Sequence, residues 1–273
     1  MKIGFIGGGN MAAALIGGLI AKRVEASFVV IEPNADARGA LSGRFAPIVL
    51  HDAPHDDLAH CDALVFAVKP QQFRDAASTV AHLVHNTLVI SIAAGIRTAD
   101  IARWLDPAAS MQAIVRGMPN TPALIGAGMT GLYATPPVDA TQRQLAQTLL
   151  GAVGETLWLA DEHLLDAVTA VSGSGPAYVF YFIEAITAAA RELGLSDDAS
   201  NKLALATFTG AAQLAAQSDE PIAALRERVT SKGGTTHAAL ASMEESKVHD
   251  AIVHAVRAAA KRSEELGDEF GKD

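Results

Sequence analysis

The first apolar run of the chain ends in three consecutive glycines whose spacing is that of a phosphate cradle. Ile3–Ile6 leads into Gly7-Gly8-Gly9-Asn10-Met11-Ala12, which fits the pattern G-x-G-x-x-A. There the first glycine makes a tight turn, the second lets the backbone approach a pyrophosphate, and the small third residue lets a helix pack on the strand. Free amides at the helix start then hold the phosphates. Gly7, Gly9, Asn10 and Met11 are the expected cofactor contacts. Glu32 closes a second β-rich run, Phe28–Ile31. A carboxylate at that position accepts hydrogen bonds from the adenine ribose hydroxyls of NAD and repels the 2′-phosphate of NADP. The alternative is a solvent-facing glutamate beside Pro33. Arg38 and Arg44 follow and could contact a 2′-phosphate, so these residues leave the cofactor preference open.

Three further segments leave apolar runs where a doubly wound sheet opens its ligand crevice. They are Ala67-Val68-Lys69-Pro70, Ser91-Ile92-Ala93-Ala94-Gly95 and Met118-Pro119-Asn120-Thr121-Pro122. Each alone could be an ordinary turn. Together, at successive strand exits, their small residues and prolines can form a platform for a nicotinamide, with Ala93, Gly95 and Pro119 on the cofactor side. A second polar constellation lies far down the chain, at Thr230-Ser231-Lys232-Gly233-Gly234-Thr235-Thr236-His237. Two glycines expose backbone N–H groups ahead of a helix, a good seat for a carboxylate, and several hydroxyls could orient a polar ring atom. A well-capped interhelical loop would look the same. Ser172-Gly173-Ser174-Gly175, directly before Pro176, is a further polar loop for which capping and close packing are the simpler account.

The elements that must carry these loops change character along the chain. Residues 2–6, 28–31, 63–68 and 87–92 read as buried strands, with a weaker one near 48–50. Helical patterns at 10–22, 35–43 and 71–83 separate them, which predicts a parallel sheet covered on both faces. Runs at 112–115, 130–134 and 156–159 extend the sheet. Beyond about residue 160 the spacing becomes helical. Pro176 opens a helix to about 193 that Gly194 stops, and Ser196 caps the next. Pro221 opens a short helix, and segments 235–245 and 248–265 complete the set, leaving 266–273 as a frayed polar tail. The expected organisation is α/β: a Rossmann-like dinucleotide-binding domain over 1–161, then an all-helical domain over 162–273. Residues 176–192 are apolar around the whole helix, which marks either a core helix or a subunit interface.

Composition narrows the function classes. The chain has 273 residues and a formal net charge of -9, with no basic block to offset the charge of a nucleic acid or an anionic membrane. Cys61 is the single cysteine, so no intramolecular disulfide can form, which suits a reducing compartment. The apolar start feeds the glycine loop and reads as mature protein, and no uncharged run reaches the ~20 residues that span a bilayer. A cytoplasmic location is expected. His51 and His55 are four apart with Pro54 between them, and neither H-E-x-x-H nor a cysteine cluster is present, so no metal is expected.

Segment 228–240 (RVTSKGGTTHAAL) resembles the C-terminal signature of pyrroline-5-carboxylate reductases. IGFIGGGNM at 3–11, AVKP at 67–70, SIAAG at 91–95, MPNTPA at 118–123 and VSGSGPAYVF at 171–180 are similar to that family as well, in the right order over nearly the whole chain. The resemblance implies a helical dimerisation domain, interlocked dimers that often assemble into decamers, and NAD(P)H-dependent reduction of the C=N bond of L-1-pyrroline-5-carboxylate to L-proline. It implies that Gly233, Gly234 and Thr235 offer backbone donors to the substrate carboxylate, that Ser231 shapes the loop, and that Thr236 brings its hydroxyl to the ring nitrogen. Met118, Asn120 and Thr121 would line the substrate side, and Ala67, Val68, Lys69, Pro70 and Pro119 the cofactor side. NADPH is the cofactor the resemblance implies, and Glu32 adds NADH as a second. β-Hydroxyacid dehydrogenases share the glycine loop but place a catalytic lysine early in the first large helix of the second domain. Residues 161–190 contain none. A non-catalytic dinucleotide sensor would not need the loop at 231–236.

Overall fold

Continuous apolar runs have no solvent face, so they become strands only where both sides of a sheet are covered. The computed structural model describes residues 1–84, 87–105 and 112–272, so Asp273, the end of the expected tail, lies outside it. Strands β1 (Lys2–Ile6), β2 (Ser27–Ile31), β3 (Val49–His51), β4 (Ala63–Phe66), β5 (Leu88–Ser91), β6 (Ile114–Met118), β7 (Gly128–Ala134) and β8 (Gly154–Trp158) form one sheet in the order β3-β2-β1-β4-β5-β6-β7-β8. The first six run parallel, with Gly4 opposite both Val29 and Leu64. β7 pairs antiparallel with β6, and β8 lies parallel to β7. The runs at 112–115, 130–134 and 156–159 thus join the sheet, and the last two reverse its direction.

Helices cover both faces. On one side α1 (Asn10–Ala21) buries Ala12, Leu15, Ile16 and Leu19, and, further along the chain, Ala140–Leu150 buries Ala146, Leu149 and Leu150 against β1, β2 and β5–β7. On the other side Pro70–Val80 buries Phe73, Ala77 and Val80, and Thr98–Leu105 buries Ile101 and Leu105. Each fully buried Leu, Ile or Phe contributes about 1.5–3 kcal/mol. Numbered in order, α2 is Ala35–Arg44, α3 Pro70–Val80, α4 Thr98–Leu105 and α5 Ala140–Leu150. Asn34 caps α2, accepting from Ala37 N at 2.9 Å, and Asp139 with Gln142 forms a capping box on α5.

The second part is helical, as expected: α6 (Leu164–Val168) with a π-turn at Thr169–Gly173, α7 (Gly175–Glu192), α8 (Asp197–Ala216), α9 (Ile222–Arg228), α10 (Thr235–Glu245) and α11 (Val248–Phe270). Pro176 lies in the first turn of α7, Gly194 ends that helix region with φ +92, and Ser196 caps α8. By compactness the chain forms two units: the sheet unit, which runs to Ser174 and takes in the chain again from Ala259 onward, and the helical unit Gly175–Ala258. One expectation is corrected. The expected frayed tail is the last turn and a half of α11. It stays ordered because Phe270 packs on the core beside Gly95, and Arg97 pairs with Asp268 at 2.7 Å.

The helical unit has little core of its own. Among its described residues only Thr187, Ser200 and Ala204 are buried, while Val179, Phe180, Tyr181, Ile186, Leu203, Leu205 and Leu214 are exposed. An apolar surface of this extent marks an interaction face. Of the two accounts of residues 176–192, the single chain therefore supports the interface. Phe180, 60 % exposed, should tolerate a charge in an isolated chain and not in an interface. Phe180→Asp should weaken self-association by about 100-fold, since burying an unpaired carboxylate costs several kcal/mol. Light scattering across a dilution series checks this, and an unchanged mass would remove that face from the interface.

Cys61 is buried behind Leu58 and Leu64, and burial pushes its thiol up to about 11. Its ionised form is disfavoured in the fold, so stability should fall as pH rises above 9.0, the ordinary thiol value. Labelling by a maleimide at pH 8 should be slow in native protein and complete after denaturation. Rapid native labelling would show that the site opens.

Candidate active site

The glycine loop is built by a conformation and a close approach. Gly7 has φ +96, and a Cβ there would lie 2.8 Å from the carbonyl oxygen of Ala67. Only glycine meets both demands. Gly7 N donates to Ile31 O at 2.8 Å, which locks the turn between β1 and β2. Gly9 is the N-cap of α1, has no side chain to cap it, and has open space where a Cβ would stand. The first amides of α1 are therefore presented bare at a helix start, the donor set a pyrophosphate requires. Ala12 is fully buried, as the small third position demands.

Glu32 sits beside this loop and helps hold its shape. Its Oε2 accepts from Gly8 N at 2.8 Å and its Oε1 from Asn34 N at 2.8 Å. It is not the detached surface glutamate that the neighbouring Pro33 allowed. Arg38 donates to the carbonyls of Glu32 and Pro33, both at 2.7 Å, so its guanidinium is tied to the same turn. A cleft of about 490 Å³ opens between the ends of β1, β2 and β4. Glu32, Asp52 and Asp75 line it together with Pro33, Asn34 and Val68, and no lysine or arginine does.

The other strand exits converge on the same end of the sheet. Lys69 is the N-cap of α3 and Pro70 its first residue, which fixes the turn Ala67–Pro70. After β5, Ala93 N donates to Ser91 Oγ at 3.3 Å, and Gly95 takes φ +77. After β6, Pro119 is buried and Met118 packs where Gly173 has no side chain, with its Cε 2.6 Å from the place a Cβ would occupy. Asn120 is committed to the protein. Its Nδ2 reaches Ser172 O and Oγ, both at 3.2 Å, and its Oδ1 accepts from Met129 N at 2.9 Å. That amide braces the exit of β6 against β7 and the π-turn. Thr121 opens a 3-10 turn and is exposed.

Sequence reasoning missed a three-part brace behind these exits. Glu162 accepts from Thr98 N at 2.8 Å, from Thr98 Oγ1 at 2.7 Å and from Arg116 Nη1 at 3.0 Å. It ties the start of α4, the middle of β6 and the entry to α6. The one sequence signal was Arg116 inside a buried strand, since a buried guanidinium needs a partner. His51 and His55 also come together, though not along a helix. Their rings stack at 3.8 Å, and Asp57 Oδ2 lies 2.9 Å from His51 Nε2 and 3.2 Å from His55 Nδ1. The ligating atoms of the three lie within 4.8 Å of one another. They already satisfy one another, Asp57 N donating to His55 Nδ1, and Lys2 Nζ stands 3.7 Å from Asp57. The His51 hydrogen bond holds the Asp57 carboxyl below its usual value.

In the helical unit, α9 runs into a turn closed by Gly234 N donating to Ser231 O at 3.0 Å. Gly233 takes φ +76, and a Cβ on Gly234 would fall 2.5 Å from Ser231 Oγ. Gly234 is the N-cap of α10 and provides no capping side chain, so the first amides of α10 are presented bare, as at α1. Thr235 and Thr236 are the first two helical residues, and Thr236 is half-buried. Gly234, not Thr236, occupies the cap.

The sheet order, the bare start of α1 and the acidic cleft at the end of β2 define a doubly wound fold of the dinucleotide-binding type with a helical second unit. The family model for pyrroline-5-carboxylate reductase dimerisation matches residues 162–266, and a model described as NADP oxidoreductase coenzyme F420-dependent matches residues 2–95. A pyrroline-5-carboxylate reductase of Pseudomonas aeruginosa is 45% identical over 99% of this chain and 98% of its own length. The solved structure of a pyrroline-5-carboxylate reductase from Coxiella burnetii superposes with a TM-score of 0.90 at 36% identity, covering 97% of each chain. That of the Plasmodium falciparum pyrroline carboxylate reductase with NADP bound gives 0.85 at 29% identity, covering 98% of each. The chain belongs to the pyrroline-5-carboxylate reductase family.

The cleft chemistry generates a cofactor prediction. Three carboxylates line this cleft, and like charges would repel the 2′-phosphate of an NADPH bound there. Glu32→Ser should raise the NADPH/NADH ratio of kcat/KM by about tenfold, the equivalent of ~1.4 kcal/mol. Glu32 also holds Gly8 N, so both absolute values should fall. An unchanged ratio would show that Glu32 acts only on the loop.

Proposed function

We propose that this chain reduces the C=N bond of L-1-pyrroline-5-carboxylate to give L-proline, the last step of proline biosynthesis. The observation that carries it is the pair of bare helix starts within this family: Gly9 at α1 for a pyrophosphate, and Gly234 at α10 for a carboxylate. The reduced dinucleotide supplies a hydride to the imine carbon, and one proton completes the amine. Such chemistry needs no nucleophile from the protein, so the residues act by orientation and polarity.

Gly7, Gly9, Asn10 and Met11 would hold the phosphates, Glu32 the adenine ribose, and Ala67–Pro70, Ala93, Gly95 and Pro119 the nicotinamide end. Gly233, Gly234 and Thr235 would offer backbone N–H groups to the substrate carboxylate, with Ser231 setting the turn through its contact with Gly234. Thr236 would turn its hydroxyl to the ring nitrogen. Met118 and Thr121 would wall the substrate side, with Asn120 bracing them through its side chain. NADPH is supported by the NADP-bound relative. NADH is supported by the acidic cleft. No metal enters the scheme. The assembly is a homodimer or a multiple of it, the decamer included, supported by the dimerisation match and the exposed faces of α7 and α8. Among the described residues no helix is long and apolar enough to cross a membrane, and the cytoplasm is the proposed location. Mass spectrometry of the product tests the activity. Cofactor oxidation that depends on pyrroline-5-carboxylate and yields proline is expected, and cofactor binding without proline would leave a sensor.

Thr236 provides the sharper test. Thr236→Ala should bind cofactor as the parent does and lose about 10- to 100-fold in kcat/KM, since a hydrogen bond to a charged group is worth roughly 1.5–3 kcal/mol. Thr236→Ser should keep much of the activity. Gly234 holds the cap, so melting temperature should move little. A folded Thr236→Ala with parent kinetics would sink the assignment.

A further inference from the structure

The last turns of α11 close over the turn that leaves β5. Gly95, with φ +77, is closely approached on that side: a Cβ would stand 3.3 Å from Leu266 Cβ and 3.4 Å from Phe270 Cδ2. The approach is mutual. A Cβ on Gly267 would stand 3.0 Å from Arg97 Nε, so the helix backbone lies directly against that guanidinium. Phe270 packs on the core cluster that contains Ala93 and Ile96, both buried. Arg97 Nη2 pairs with Asp268 Oδ1 at 2.7 Å and reaches Glu264 O at 3.4 Å, and Arg103 donates to Gly271 O at 2.8 Å. The turn Ala93–Arg97 therefore has one wall made by the far end of the chain.

We propose that the last turns of α11, through Gly267 and Phe270, are a positioning element for the cofactor: they fix the Ala93–Gly95 turn at the height the nicotinamide end requires. The proposal rests on the reading that this turn contacts the nicotinamide. The apolar closure outweighs the ion pair here. The side chains of Arg97 and Asp268 are 40% and 59% exposed, and pairs so exposed contribute little. Removing the Phe270 ring, by contrast, opens a gap on the core beside Gly95 and leaves Leu266 and the Gly267 backbone as its neighbours from α11. The turn can then shift, and small misplacements of a bound reactant cost rate steeply.

The test uses full-length protein, with NADPH and NADH as probes. Phe270→Ala should raise the cofactor Kd and lower kcat, each by about tenfold, with KM for the imine and the assembled mass at parent values. Phe270→Leu should recover most of the loss, because it refills the apolar space beside Gly95. Lys261→Ala, on the same helix and exposed, should match the parent. A purely structural role would lower melting temperature and leave cofactor Kd and kcat alone, and that result would overturn the proposal. If Phe270→Ala fails to fold, Gly267→Ala takes its place, since its methyl meets only the end of Arg97. A Kd raised about twofold supports the proposal, and a parent Kd overturns it. Ala94→Leu, at a part-exposed position of the same turn, separates this proposal from the reading beneath it. If Ala94→Leu weakens cofactor binding while the helix variants bind as the parent, the positioning role is wrong and the cofactor site stands. If Ala94→Leu binds cofactor normally, the turn is not at the nicotinamide and both fall.

Discussion

Everything at the dinucleotide end of the molecule depends on one missing side chain. The exit of β1 and the exit of β4 lie so close that a methyl group on Gly7 would stand inside the contact distance of the Ala67 carbonyl. Because Gly7 can take a positive φ there, the chain turns at once into α1 and presents the helix amides beside the turn Ala67–Pro70. The same turn brings Gly8 N to Glu32, so the carboxylate at the end of β2 and the glycine loop are set by one hydrogen bond between neighbouring strands. Sheet order explains why these parts meet: β1 is flanked by β2, which carries Glu32 on its end, and by β4, which carries Val68.

The helical unit follows a different economy. Its sequence is rich in alanine and places apolar side chains around α7 and α8, yet almost none of them is buried in one chain. Small residues let helices approach closely, but an exposed Phe180 and Tyr181 gain their burial only from a further surface. A second copy supplies one in the family this chain belongs to, whose dimerisation model covers these helices. The glycine turn at Gly233–Thr236, the proposed carboxylate seat, is built in this same unit. On that proposal its geometry is only as firm as the assembly that completes the unit's core.

Local signals carried most of what the sequence disclosed. Continuous apolar strands, the positive-φ glycines at 7, 95 and 233, the Pro176 helix start and the Ser196 cap are decided within a few residues, so they leave a trace in the one-dimensional pattern. Contacts between distant positions leave none. Glu162 meets Thr98 and Arg116 across long stretches of chain, and its acidic, loop-like neighbourhood suggested nothing of the kind. Asn120 was expected at the substrate side from the family resemblance, and nothing in the sequence pointed to the hydrogen bonds its amide makes with Ser172 and Met129. Pro54 correctly spoke against a helix through His51 and His55 but said nothing about their stacking across a turn. The tail from 266 looked polar because its charged residues outnumber its apolar ones, and a single Phe270 was enough to anchor it.

The sheet unit is assembled from both ends of the chain, since residues from Ala259 onward return to it after the helical unit is complete. Synthesis runs in one direction, so the cover over Gly95 is made after all eight strands and after the helices α7 to α10. A nascent chain that has just finished β8 has an uncovered β5 turn, and that side of the first unit closes only once α11 has been made.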